Sequence, residues 1–136
     1  MFGYKPGGFH YGGSIELQAR TPNSRITIGD DVLTNNNITM VACNNITIGS
    51  RTIIGQYVTI MDHEAHGIHP DHRRQMGEVG EVIIGENVWI GNNVVILKNS
   101  HIGNNCIVAA GAVVTGQFPD NTIIGGVPAK VISSCV

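Results

Sequence analysis

Over residues 84–116 the chain reads IGENVWIGNNVVILKNSHIGNNCIVAAGAVVTG, and an aliphatic residue returns at every sixth position: Ile84, Ile90, Ile96, Ile102, Val108 and Val114. Gly follows it at Gly85, Gly91 and Gly103, and a second small or β-branched residue stands four places on, at Val88, Val94, Cys106 and Ala112. Neither an α-helix nor an ordinary sheet strand generates a strict period of six. A solenoid built of short strands and tight corners does. Three hexads close one triangular coil of about eighteen residues, and each coil's core is completed by its neighbours. The first aliphatic side chain points into the prism. The Gly or Asn beside it is expected to take the backbone through the corner, because both tolerate left-handed dihedrals.

The same period runs upstream through Ile28, Met40, Ile48, Ile54 and Ile60, with only Thr34 breaking the aliphatic series. The phrase ITIG begins at Ile26 and again at Ile46, a shift of twenty residues. That is two more than one coil, so a small outward bulge is expected within residues 41–45. The pattern predicts an all-β chain: a hexapeptide-repeat solenoid, that is a parallel β-helix, with one inserted loop.

Composition supports this reading. The chain has 136 residues, the size of one domain, and is 42% hydrophobic but only 5% aromatic, as a prism filled with Ile and Val requires. A formal net charge of −2 gives no reason to expect nucleic acid or an anionic membrane surface as partner. No apolar run reaches membrane-spanning length, and the opening MFGYKPGGFHYGG does not read as a signal peptide. Three cysteines cannot all pair, Cys106 falls on a core position, and reduced thiols in a cytoplasmic protein are expected.

Three segments depart from the repeat. Residues 1–25 match it poorly, although 14–19 could form a degenerate first coil, and residues 118–136 end it; both are expected to cap the solenoid. Residues 61–81, MDHEAHGIHPDHRRQMGEVGE, abandon it altogether. Long loops set into rigid scaffolds usually carry function. This one holds His63, His66, His69 and His72, four of the six histidines. Their spacing alone is compatible with a solvated polar loop, with a metal site, or with a histidine general base. Gly67 and Pro70 prevent a helix that would put the four on one face, and no cysteine lies nearby in sequence.

The segments DHEAHGIHP (62–70), IGENVWIGNNVVILKN (84–99), AAGAVVTG (109–116) and GGVPAKVI (125–132), in this order, resemble the hexapeptide-repeat acyltransferases. The likeness covers roughly residues 25–132 and is strongest to the branch containing galactoside, maltose and surface-polysaccharide O-acetyltransferases. It implies a left-handed parallel β-helix, acetyl-coenzyme A as co-substrate, no metal, a sugar hydroxyl as acceptor, and a homotrimer with three sites at its interfaces. A surface-polysaccharide precursor is the expected acceptor. Position by position, the resemblance implies His66 as catalytic base, with His63 and His69 as adjacent alternatives, and matches Asp62 to the Asp that opens the loop. Asn35 matches an acceptor contact, and Trp89 and the amide of Asn92 match the lining of the thioester. Ala110 and Thr115 match the strip under the pantetheine arm, and Lys130 the phosphate contact. His63 and Arg73 are placed beside the acceptor, where Arg73 could meet an anionic sugar. Two departures stand out: Cys43 falls where galactoside enzymes have an acceptor-contacting Asp, and Gly116 where the family has a second Lys. Weaker coenzyme binding is the expected result of the latter. A sugar hydroxyl is a poor nucleophile at neutral pH, so the reaction calls for an imidazole to take its proton and an N–H to hold the oxyanion. The rival readings are a γ-carbonic-anhydrase-like zinc protein and a non-catalytic scaffold. The first would draw its histidines from separated coils. The second would suit a chain with these two departures.

Overall fold

In the computed structural model, which describes residues 13–136, the chain winds into a parallel β-helix of five coils. The first coil is β1 (Ile15–Ala19), β2 (Arg25–Ile28) and β3 (Leu33–Thr34); the second is β4 (Ile38–Ala42), β5 (Asn45–Ile48) and β6 (Ile53–Ile54). The third is β7 (Thr59–Met61), β8 (Glu81–Ile84) and β9 (Trp89–Ile90); the fourth is β10 (Val95–Ile96), β11 (Ser100–Ile102) and β12 (Ile107–Val108). The fifth is β13 (Val113–Val114), β14 (Gln117–Phe118) and β15 (Thr122–Gly126), after which β16 (Ala129–Ser134) turns back. Every third strand stacks in parallel, giving three sheets: β1-β4-β7-β10-β13, β2-β5-β8-β11-β14 and β3-β6-β9-β12-β15, the last extended by the antiparallel β16. The first, second and third sheets are called A, B and C below. The expected opening segment 1–25 contains β1, whose pairing with β4 makes it a full rung; its first twelve residues, all but the last of the stretch read as no signal peptide, lie outside the described residues.

Register states the repeat directly. From β8 to β11 the partners Val82 and Ser100 are 18 residues apart, as are Trp89 and Ile107 from β9 to β12. From β2 to β5 the step is 20, Ile26 to Ile46. Two extra residues enter coil two between Met40 and Ile46, where the ITIG shift predicts a bulge, and they carry Cys43 and Asn44 outward. From β5 to β8 the step is 36, Asn45 to Glu81, so residues 62–80 insert a full 18 residues beyond a regular coil. From β11 to β14 it falls to 16, His101 to Gln117, a tightening at the last coil that the sequence pattern does not reveal.

The core is the period-six series. Met40, Ile48, Ile54, Ile60, Ile84, Ile90, Ile96, Ile102, Val108 and Val114 are all at most 2% exposed, and Thr34, the break in the series, is buried as well. Each such Ile or Val contributes about 1.5–3 kcal/mol relative to exposure. The second series is equally interior at Val88, Val94, Cys106 and Ala112, and its polar members are satisfied. Ser100 donates to the carbonyl of Leu97 or Val114, at 2.6 and 3.0 Å, and Thr52 to that of Gly85 at 3.1 Å. No buried side-chain nitrogen or oxygen among the described residues lacks a partner.

The corners correct one expectation. The left-handed residue is not the Gly beside the aliphatic but the one two places further on: Asp31, Asn37, Arg51, Tyr57, Asn87, Asn93, Asn99 and Asn105 have φ between 54° and 62°. The Gly serves close approach instead. A Cβ on Gly91 would stand 2.7 Å from the backbone nitrogen of Ala110 in the next coil, and one on Gly49 2.4 Å from the carbonyl carbon of Gly85. Asn dominates the left-handed position because its short polar side chain bears the strain and bonds locally. Here Asn87, Asn105 and Asn121 pass hydrogen bonds of 2.9 and 3.0 Å from coil to coil.

Candidate active site

The insertion leaves the prism at the edge between sheets A and B, where Met61 would otherwise turn straight into Glu81. It runs out and back as an irregular antiparallel pair. His63 bridges Val79, the amide of Glu64 donates to Glu78, that of Gly77 to Glu64, and that of Gly67 to Gln75. Gly67 is buried, and a Cβ there would meet the carbonyl oxygen of His72 at 2.5 Å, so this crossing excludes any larger residue. The tip is a 3₁₀ turn, Pro70–His72, whose Asp71 amide bonds the Nδ1 of His69 at 3.3 Å. Lys98 of the next coil pins the two limbs, with Nζ 2.6 Å from Glu78 and 3.3 Å from Glu64. This pairing pulls the Glu78 carboxyl below its ordinary range, chiefly through the Lys98 hydrogen bond, and raises the ammonium of Lys98, chiefly through Glu78.

The four histidines separate into distinct roles. His66 is exposed, and its Nδ1 lies 2.8 Å from the carbonyl oxygen of Arg73. A carbonyl can only accept, so Nδ1 carries a hydrogen, and in the neutral ring Nε2 then holds the lone pair. His63 is buried, with its Nδ1 2.9 Å from Oδ1 of Asp62. His69 and His72 are exposed at the tip, with ring centroids 5.3 Å apart.

Asp62 is fully buried, and the carbonyl of Arg73, not this carboxylate, is the partner of His66 Nδ1. Its Oδ1 accepts from the amide of Cys43 at 2.8 Å and its Oδ2 from that of Asn44 at 2.7 Å, while His63, not His66, takes the remaining contact. Asp62 therefore binds the bulge of coil two to the root of the loop. Sequence reasoning missed this role; the bulge predicted from the ITIG shift, one coil before the Asp that opens the loop, is the one signal that pointed to it. Burial raises the Cys43 thiol above its ordinary pKa, and the charge of Asp62 adds to the effect.

The other expected site residues stand elsewhere on the prism. Thr115 lies on the same edge as the loop, in a cleft of about 280 Å³ shared with His63, Glu64, Leu97, Lys98 and Asn99. Asn35, Asn92 and Ala110 line the edge between sheets C and A, in coils one, three and four. There the amide of Asn35 donates to Ile54, Asn92 accepts from the Gln56 amide through its side chain and from Gly111 through its carbonyl, and Ala110 abuts Gly91. Trp89 is 56% exposed on the outer face of sheet C, in a rung-by-rung apolar row with Leu33, Ile53, Ile107 and Ile123. Lys130 is exposed on β16 opposite Gly125, and Arg73 is exposed beside its carbonyl contact with His66. The residues that the sequence groups into one site are thus divided between two edges of the prism. A hexad spans at most about 20 Å between edges.

A parallel β-helix with a histidine-bearing excursion between its sheets defines a class, the hexapeptide-repeat solenoids. The family described as "Bacterial transferase hexapeptide (six repeats)" matches residues 81–116. The chain belongs to this hexapeptide-repeat family. It is 40% identical over 119 residues to WbbJ of Escherichia coli strain K12, whose given name places it provisionally as an O-acetyl transferase of lipopolysaccharide biosynthesis; the match covers 79% of this chain and 59% of WbbJ. Among solved structures it is similar to a galactoside acetyltransferase in complex with coenzyme A, with a TM-score of 0.77 and 36% identity over 82% of this chain and 56% of that one. It is similar also to the hexapeptide-repeat acetyltransferase VCA0836 of Vibrio cholerae, with a TM-score of 0.76 and 35% identity over 82% of this chain and 63% of that one. The chain spans 51–59% of the length of three curated relatives it matches.

Proposed function

We propose that the protein transfers an acetyl group from acetyl-coenzyme A to a sugar hydroxyl, with His66 as general base. The observation that carries this reading is the 2.8 Å contact between Nδ1 of His66 and the Arg73 carbonyl, which in the neutral ring assigns the hydrogen to Nδ1 and the lone pair to Nε2 of an exposed residue. His63 has the same tautomer-fixing contact at Nδ1, but its ring is buried against Asp62. Similarity to proteins named as O-acetyltransferases of a galactoside and of lipopolysaccharide biosynthesis supports the reaction class and the sugar acceptor.

In the reaction, Nε2 of His66 takes the hydroxyl proton as the sugar oxygen attacks the thioester carbonyl carbon. The amide of Asn92 donates to the oxyanion that forms. When the tetrahedral adduct collapses, the carbon–sulfur bond breaks and the imidazolium returns its proton to the departing thiolate. The products are an O-acetylated sugar and free coenzyme A, with no acyl-enzyme required. The corner strip Ala109–Ala110–Gly111 suits the pantetheine arm, since its side chains are small and a Cβ on Gly111 would meet nothing within 4 Å. Trp89 borders the thioester, Thr115 the arm, and Lys130 the phosphates. Asn35, His63 and Arg73 face a sugar from a surface-polysaccharide precursor, as in a cytoplasmic biosynthetic step.

The active unit is a homotrimer. His66 belongs to the A/B edge and Asn92 and Ala110 to the C/A edge of the same prism, so a complete site pairs the loop of one copy with the corner strip of the next. The exposed row Leu33, Ile53 and Trp89 on sheet C, at 48%, 47% and 56% exposure, offers the apolar surface for this contact.

The test is mass-spectrometric acetyl transfer from acetyl-coenzyme A to a panel of nucleotide sugars and oligosaccharides, with His66→Ala alongside. His66→Ala is expected to lose about 10²–10⁴-fold in kcat and to keep coenzyme binding. Full activity in His66→Ala would move the base to His63 or His69, and no transfer by the wild type would refute the reading.

A further inference from the structure

Nine non-glycine residues among those described stand at φ between 54° and 62°, and seven of them are Asn or Asp, whose short side chains bear that dihedral. Arg51 is the eighth, and its guanidinium pairs with Glu86 of the next coil at 2.8 Å. The ninth is Tyr57, at φ 56°. A bulky ring is disfavoured in that region, and this one is 56% exposed, so burial does not offset the strain. Nor, among the described residues, does its side chain make a coil-to-coil bond like those of Asn87 and Arg51. Strain of this kind collects at functional sites.

The fold puts Tyr57 on the edge between sheets C and A. Its amide donates to the Asn36 carbonyl at 3.2 Å, and the Gln56 carbonyl accepts from the Asn93 amide at 2.9 Å, so Tyr57 stands between Asn37 of coil one and Asn93 of coil three. In the proposed reaction Asn35 of coil one meets the acceptor and the Asn92 amide of coil three meets the oxyanion. Two coils separate them, about 10 Å at ordinary strand spacing. Tyr57 occupies the coil between. Resting on that reading, we infer that Tyr57 is an acceptor-binding residue whose ring stacks on the C–H face of the pyranose being acetylated. A pyranose chair carries hydroxyls around its rim and axial C–H groups on its faces. A tyrosine ring offers a matching apolar face and has few rotatable bonds to freeze. The inference narrows the acceptor to ring-form sugars, since an open-chain polyol or an amino-acid hydroxyl presents no such face.

The test uses the full chain and reads sugar binding apart from turnover. Saturation-transfer NMR with methyl β-D-galactopyranoside, methyl β-D-glucopyranoside and the open-chain galactitol is run on wild type, Tyr57→Asn and Tyr57→Phe, with acetyl-transfer kinetics on the same sugars. The wild type should saturate the axial C–H protons of a glycoside and not galactitol, and Tyr57→Phe should keep that signal. Tyr57→Asn should lose it while melting at or above the wild-type temperature, because Asn relieves the left-handed strain. Its KM for the glycoside should rise about tenfold and its KM for acetyl-coenzyme A stay within about twofold, the pattern of lost acceptor binding and not of lost chemistry. Arg51→Asn, which relieves the same dihedral on the edge between sheets B and C, should change neither KM. The inference is overturned if Tyr57→Asn binds the glycosides as the wild type does, if galactitol binds as well as they do, or if neither glycoside binds the wild type. It is overturned also if Tyr57→Asn alters the oligomeric state and not the sugar KM, which would make Tyr57 an interface residue. Tyr57-dependent glycoside binding with no acetylated product would instead sink the acetyl-transfer reading and leave the stacking site standing.

Discussion

Replacing Asp62 by Asn tests the claim that one buried carboxylate joins the bulge to the loop. The wild-type carboxylate accepts from the amides of Cys43 and Asn44 and engages Nδ1 of His63, three contacts of 2.7–2.9 Å. Asn keeps the shape but offers an oxygen on one side only, so its NH₂ must face a donor. One charge-assisted hydrogen bond, worth about 1.5–3 kcal/mol, is lost, and one amide is left unpaired at a further cost of about 1–3 kcal/mol. Relief from burying a charge offsets part of this, leaving a net destabilisation of about 2–4 kcal/mol. For a chain of this size that is a fall in Tm on the order of 10 °C. The assay is urea and thermal denaturation at one fixed protein concentration, because self-association shifts Tm. Asp71→Asn, at an exposed carboxylate of the loop tip, is the control and should stay within about 0.5 kcal/mol. Amide exchange at Cys43 and Asn44 should accelerate in Asp62→Asn alone. If Asp62→Asn melts with the wild type and leaves those amides protected, the carboxylate does not hold the bulge and the reasoning fails.

Three further outcomes follow from the same geometry. Gly91→Ala should cost about 1–3 kcal/mol, because the new Cβ meets the Ala110 backbone at 2.7 Å, a contact no rotamer can relieve; a denaturant midpoint reads it. At Asn93, with φ of 58°, Ala should destabilise by about 1 kcal/mol while Gly should not, which separates dihedral strain from lost side-chain bonds. Lys98→Met should speed amide exchange across residues 64–78 and leave the coil core unchanged, since Lys98 pins both limbs of the loop. In the wild type that pin has a pH window with two signs. Glu78 has a lowered folded pKa, so its contribution is whole above the ordinary 4.5 and is lost as pH falls through the lowered value; Lys98 is raised, so its contribution is whole below the ordinary 10.5 and is lost as pH rises through the raised value. Loop protection should therefore be flat between those limits, and a decline near neutrality would show that Lys98 is not the pin.

The sequence by itself determined the solenoid, because a period of six is a local instruction: each hexad states which side chain enters the core, whatever stacks on it. Ile84 through Val114 could be assigned to the interior one residue at a time, the twenty-residue shift of ITIG located the bulge, and the loss of period marked the loop. The corners were misread locally. Gly85 and Gly91 look like turn residues, yet their need for glycine comes from the neighbouring coil 18 residues away, and the left-handed strain falls on Asn87 and Asn93 instead. What only the tertiary structure decided are pairings set by coil register across insertions. Nothing local tells Asp62 that Cys43 and Asn44 lie against it, or His66 that the carbonyl of Arg73 will hold its Nδ1. Nor could the motifs reveal that Thr115 and the loop share one edge while Asn92 and Ala110 share another. Position along a solenoid is written in the period, but position around it depends on every insertion and deletion in the coils between.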